Sequence, residues 1–196
     1  PLGQSPILLG ADIVVHSSTK YLNGHSDVVS GAVVCANEED HEQLAWWANN
    51  TGVTGSPFDS YLILRGIRTL GLRIKQHSVN AQAIAEILSA HDLIEKVNFP
   101  GLEAHPDYDL AREQHHHHAG MLSFELKGDL EQVQVFLRSL KLFTLAESLG
   151  GTESLVCHPS TMTHAAMDEA AQKAAGLTKQ LIRLSVGVED KADLIA

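Results

Sequence analysis

The strongest constraint on this chain is a polar segment held between two apolar ones. Residues 16 to 31 read His-Ser-Ser-Thr-Lys-Tyr-Leu-Asn-Gly-His-Ser-Asp-Val-Val-Ser-Gly. A mostly apolar run, Ala11 to Val15, precedes them, and Gly31 to Cys35 follows. Apolar runs of this length, bounded by polar turns, are expected to be buried strands. Lys20 then stands where a buried strand opens into a loop. Burial favours a neutral amine, and a neutral amine attacks carbonyl carbon.

Ser17, Ser18 and Thr19 offer hydroxyls able to hold a phosphate beside that amine. A phosphorylated aldehyde captured by a lysine describes pyridoxal phosphate, although the spacing alone serves a solvated surface lysine as well. If the segment is extended, Ser17 and Thr19 share a side and Ser18 points elsewhere.

The rest of the chain alternates helix and strand. Glu38 to Asn49 reads as a helix with Glu38, Glu39, Asp40 and Glu42 crowding its first turns, where the helix dipole favours them. Ser56-Pro57-Phe58-Asp59 is a helix start, with Ser56 as cap and Pro57 at the first position. The apolar recurrence from Tyr61 to Ile74 follows, weakened at Gly66 and Gly71, where the helix breaks or packs closely. A further amphipathic helix carries Val79, Ile84, Ile87 and Leu88. Val97 to Gly101 reads as a short strand. Met121 to Leu126 alternates as a half-buried strand, and Asp129 caps a helix with Val133, Phe136, Leu137 and Leu140 on its buried stripe. Phe143 to Leu145 is strand-like, Gly150-Gly151 a turn, Asp168 to Ala175 a short helix closed by Gly176, and Leu181 to Val186 a strand. Asp190 opens a last helix. Strands and helices mix without a regular repeat in the second half, which suits an α+β arrangement.

Composition narrows the class. The 196 residues include 44% hydrophobic and 19% charged, ordinary for a globular protein, and carry a formal charge of −10, which argues against a nucleic-acid surface. No apolar run reaches the ~18 residues of a membrane span, and no signal-peptide pattern opens the chain. Cys35 and Cys157, far apart, are expected to be free thiols in a reducing cytoplasm. The run His115 to His118 cannot all ligate one metal, because neighbours point in different directions. It reads as a solvated loop, with adventitious metal binding as the alternative. Trp46 and Trp47 are expected to pack at a boundary between domains or subunits.

Ser17-Ser18-Thr19-Lys20-Tyr21-Leu22-Asn23-Gly24-His25-Ser26-Asp27 resembles the cofactor-lysine signature of the Cys/Met-metabolism family of pyridoxal-phosphate enzymes. Three later stretches agree in order: Asp59 to Leu70, Leu142 to Gly151, and Leu181 to Asp190. Four long matches over nearly the whole chain make the resemblance specific. It implies the C-terminal part of a fold-type I α/β enzyme. On that basis residues 1–78 would be the end of the large cofactor domain, with an interdomain helix, and 79–196 a smaller α+β domain. Members are longer and carry, before this point, a glycine-containing phosphate loop, an aromatic that stacks on the cofactor and an aspartate for the pyridine nitrogen. None of these is in the chain, so little turnover is expected of it alone, and a role as an inactive assembly module is the rival from another class.

The same resemblance implies that Lys20 forms an aldimine with pyridoxal phosphate and moves protons on the substrate. Ser17 and Thr19 match its phosphate-contacting hydroxyls. Arg183 matches the guanidinium that holds the substrate α-carboxylate, where a structural salt bridge is the plainer alternative. Glu147, with Ser148, matches a turn that recognises a distal ammonium, unless it is a solvated turn acid; Asn49 is a looser candidate. Residues Ala45 to Gly55 most resemble the bacterial members that form cystathionine, implying γ-replacement of an O-acylhomoserine by cysteine in a cytoplasmic homotetramer. Cystathionine-cleaving members are the nearest rivals.

Overall fold

The computed structural model describes residues 2–196. Two strands, β1 (Ile13–Ser17) and β2 (Gly31–Cys35), pair antiparallel from Ile13↔Cys35 to Ser17↔Gly31, so the polar segment is the connection that the pair holds out at one end. Both strands were expected to be buried. They are not: Ile13, Val15, Val33 and Val34 are exposed, Val15 to 74%. An apolar strand is buried only if something covers it, and the described residues leave these side chains largely uncovered.

Three helices follow. In α1 (Glu38–Thr51), Asn37 accepts from the Asp40 N–H and Gly52 closes the helix at φ 71°. α2 (Pro57–Ile67) opens on Ser56, which accepts from the Asp59 N–H, with proline in the first turn as the sequence implies. The chain breaks after Ile67 and resumes as α3 (Leu70–Ser89). α3 is one helix through Gly71 and Ser78, not two. Its first half buries Leu70, Arg73, Ile74 and His77; its second half buries Ala81, Ile84 and Ala85, whereas Val79 and Ile87 stay exposed.

The remaining strands make one sheet. They are β3 (Ile94–Asn98), β4 (Met121–Leu126), β5 (Thr144–Leu145), β6 (Leu155–Cys157) and β7 (Leu181–Ser185), ordered β3-β4-β7-β6-β5. All neighbours are antiparallel except β5 and β6. The sequence reading missed β6, which at three residues is too short for any periodicity, and the short α4 (Tyr108–Gln114). α5 (Leu130–Ser139) starts in a capping box between Asp129 and Gln132. α6 (Glu169–Ala174) and α7 (Lys191–Ile195) start on Asp168 and Asp190.

Alternation decides what each face of the sheet does. Leu122, Phe124, Ile182 and Leu184 join Ala81, Ile84, Phe99, Val133 and Val156 in the main core, under α3 and α5. The intervening residues face the other way, and register lines them up: Asn98↔Ser123, Ser123↔Arg183, Arg183↔Cys157. Arg183 thus leaves the core because Ile182 and Leu184 enter it. Among the described residues no helix is long and apolar enough to cross a membrane.

Candidate active site

The polar loop after β1 and the turn after β5 meet. Lys20 Nζ donates to Ser148 Oγ at 3.2 Å, and Arg183 Nη2 donates to the Ser148 carbonyl oxygen at 3.1 Å. Two cations separated by 163 positions (183 − 20) therefore converge on one residue. Ser148 adopts φ 82°, a left-handed backbone that a non-glycine residue adopts at some cost in strain.

A main-chain bond joins the two loops, the Thr152 N–H donating to the Gly24 carbonyl at 3.1 Å, and the Gly150 N–H ties the turn to β7 by donating to Ser185 Oγ at 2.9 Å. Gly150, at φ 77°, comes so close to the lysine loop that a Cβ there would sit 2.9 Å from the Tyr21 nitrogen. The paired glycines therefore allow a close approach as well as a turn.

Neither Lys20 nor Arg183 has a carboxylate within 4.0 Å; the one ion pair among the described residues, Lys179–Glu169, includes neither of them. A chain with net charge −10 thus holds two uncompensated cations side by side. That arrangement suits an anionic ligand. Arg183 also faces a groove of about 300 Å³ along the non-core side of the sheet, shared with Asn98, Ser123 and His164.

The other expected site residues fall as follows. The strand ends at Ser17 and residues 18–20 turn instead of staying extended; Ser18 is fully buried in that turn, and its hydroxyl finds no partner. Ser17 is exposed at the end of β1, and its hydroxyl makes no hydrogen bond among the described residues. Thr19 is committed: its hydroxyl donates to the Ser30 carbonyl at 3.2 Å and accepts from the Ser30 N–H at 2.9 Å. Glu147 is exposed next to Ser148. Its charge and that of Arg183 both act on the Cys157 thiol, whose pKa is raised chiefly by burial, then lowered by Arg183 and raised by Glu147. Asn49 stands exposed near the end of α1 with no side-chain hydrogen bond among the described residues, so the structure gives it no tie to Lys20. Trp46 and Trp47 stack edge to face on each other and remain 58% exposed. In the histidine run His116 is exposed, while His118 is partly buried against Phe99.

Sequence reasoning missed the supports. Tyr21 accepts from the Gly120 N–H at 3.0 Å through its phenol oxygen and meets the His77 ring edge to face at 5.2 Å. Burial pushes the Tyr21 pKa up, opposed by that N–H, and pulls the His77 pKa down. The one available signal was glycine: Gly24 and Gly66 mark where backbones approach Arg73 and Asn23.

A family model described as Cys/Met metabolism PLP-dependent enzyme matches residues 1–196. The chain is 53% identical over 196 residues to cystathionine gamma-synthase of Escherichia coli (strain K12), covering all of this chain and 51% of that protein. It is 50% identical over 192 residues to cystathionine gamma-lyase of Sus scrofa, covering 98% of this chain and 47% of that one. Among solved structures, cystathionine gamma synthase from Xanthomonas oryzae pv. oryzae, in complex with aminoacrylate and cysteine, superposes with a TM-score of 0.96 at 55% identity, over 100% of this chain and 51% of that one. The chain spans about half the length of the curated relatives it matches.

Proposed function

The chain belongs to the pyridoxal-phosphate-dependent enzymes of cysteine and methionine metabolism, and we propose that it is the cofactor-lysine and carboxylate-binding part of a cystathionine γ-synthase. The observation that carries this reading is the meeting of Lys20 and Arg183 on Ser148 with no carboxylate to neutralise either.

The donor set suits the cofactor. Lys20 offers an amine for its aldehyde and Ser17 a free hydroxyl for its phosphate. Thr19 joins Ser17 by turning its hydroxyl off the 3.2 Å bond to the Ser30 carbonyl. Bound pyridoxal phosphate supplies a conjugated sink for the electron pair left at the substrate α-carbon when its proton departs. Lys20 Nζ would act as the base for that proton, and Ser148 Oγ holds the amine by accepting its hydrogen bond. Arg183 holds the α-carboxylate by its guanidinium fork and so orients the Cα–H bond. Glu147 accepts from the ammonium of the incoming cysteine. In the exchange the acyl oxygen leaves Cγ and the cysteine sulfur takes its place. One C–O bond is traded for one C–S bond, and the thiol proton leaves with the acid.

A second reading, cystathionine γ-lyase, draws support from the 50% identity to the Sus scrofa enzyme. Residues 45–55 and the similarity to the Xanthomonas oryzae synthase favour γ-replacement. The test is to compare acid release from O-succinyl- and O-acetylhomoserine plus cysteine with 2-oxobutanoate release from cystathionine, using the polypeptide together with any segment that precedes it. The reading expects the first to dominate; dominance of the second replaces it with the lyase. Arg183→Ala is expected to raise KM for the acylhomoserine about tenfold or more, the worth of a charge-assisted hydrogen bond. A homotetramer in the cytoplasm completes the proposal.

A further inference from the structure

Arg73, on α3, is a cation only 6% exposed, and no carboxylate pairs with it. Its guanidinium is spent on neutral oxygens. Nε donates to Thr69 Oγ1 at 3.1 Å, Nη1 to the Tyr21 carbonyl at 2.9 Å, and Nη2 to the Gly66 carbonyl at 2.8 Å. Burying a charge without a counter-ion is costly, and a fold bears that cost only where the dipoles that replace water are well placed.

Those dipoles lie on two sides of one seam. Gly66 and Thr69 belong to the α2–α3 junction; Tyr21 is the residue after Lys20. The seam is tight. A Cβ on Gly24 would lie 2.0 Å from Arg73 Nη1, and one on Gly66 would lie 2.2 Å from the Asn23 carbonyl oxygen. Tyr21 is therefore held at both ends, its carbonyl by Arg73 and its phenol oxygen by the Gly120 N–H. Lys20 sits immediately before that doubly held residue, and its own N–H donates to the Ser17 carbonyl at 3.3 Å.

We propose that Arg73 is a positioning residue for Lys20: by clamping the Tyr21 carbonyl to the α2–α3 junction it aims the lysine side chain at Ser148 and Arg183. The inference rests on the reading of Lys20 as the cofactor lysine. Arginine is needed because only a planar fork reaches three oxygens in fixed directions; a lysine would keep the charge and lose the geometry.

The experiment treats the protein with pyridoxal phosphate, traps the imine with borohydride, and maps label at Lys20 against the exposed lysines Lys96 and Lys191. Amide hydrogen exchange over residues 20–24 is measured without cofactor, and melting is followed in parallel. In the unaltered protein Lys20 is labelled in preference. Arg73→Lys is expected to lower the Lys20 rate about tenfold, and Thr69→Val, which removes the Nε acceptor together with the hydroxyl's own bond to the Gly66 carbonyl, about threefold. The reference lysines stay unchanged and exchange at 20–24 quickens in both variants. An Arg73→Lys protein that melts normally and labels Lys20 as the parent does overturns the inference and leaves the cofactor reading standing. If Arg73→Lys does not fold, Thr69→Val decides, an unchanged preference being the overturning result. No preference for Lys20 in the unaltered protein removes the cofactor reading, and this inference with it.

Discussion

His77 shows how a single buried side chain sets a condition for the whole protein. It is fully buried; Nδ1 faces the Val186 carbonyl at 2.6 Å, which makes it the donor, and Nε2 has no partner. Burial pulls its pKa below the ordinary value near 6.5; the Val186 carbonyl opposes this, Arg73 reinforces it, and Glu189 and Glu153 oppose it. The unfolded chain then binds the proton more readily than the folded one at pH values below the ordinary value, so stability is present above about 6.5 and declines as pH falls beneath it. His16 and His118, shifted the same way by burial, add to the slope. Melting temperature is expected to fall between pH 7 and about 5, and His77→Asn, which keeps a donor for the Val186 carbonyl, is expected to flatten part of that fall. A slope identical in the variant would show that His77 takes no part.

At the scale of elements, the α2–α3 junction tolerates little change. Gly66 faces a main-chain oxygen, that of Asn23, which cannot swing aside as a side chain can. Gly66→Ala is expected to cost about 1–3 kcal/mol, read as a lower urea midpoint at unchanged slope. Gly52→Ala, with open space around it, is expected to lose only the smaller penalty of its φ of 71°. What the sequence made legible was local chemistry. Ser56, Asp129, Asp168 and Asp190 each cap the helix assigned to them, because capping is decided within four residues. The length of α3 was hidden by Arg73, His77 and Asn80, buried polar groups that interrupt its apolar stripe. In the site, Lys20, Arg183 and Ser148 do converge, whereas Thr19 is turned to Ser30 and Asn49 is left unattached. Which hydroxyl is free depends on a contact 11 residues away, and no spacing rule carries that information.

For the whole molecule, stability is distributed unevenly. The five-stranded sheet is backed by the main core, whereas β1 and β2 form a two-stranded ribbon whose apolar side chains are left exposed among the described residues. Two strands alone are marginal. Native-state amide exchange is therefore expected to be faster across 13–17 and 31–35 than across 121–126 and 181–185, and equal protection would contradict this account. The parallel pairing of β5 with β6 has another outcome. Parallel neighbours ordinarily need a dozen or more intervening residues, yet only 146–154 lie between these two, and both ends are fastened, Thr144 N–H to the Ser154 carbonyl and Ala146 N–H to the Val156 carbonyl. The rim bearing Glu147 therefore has no slack. Exchanging single side chains there, Glu147 among them, changes what the rim presents while leaving the pairing of β5 with β6 in place.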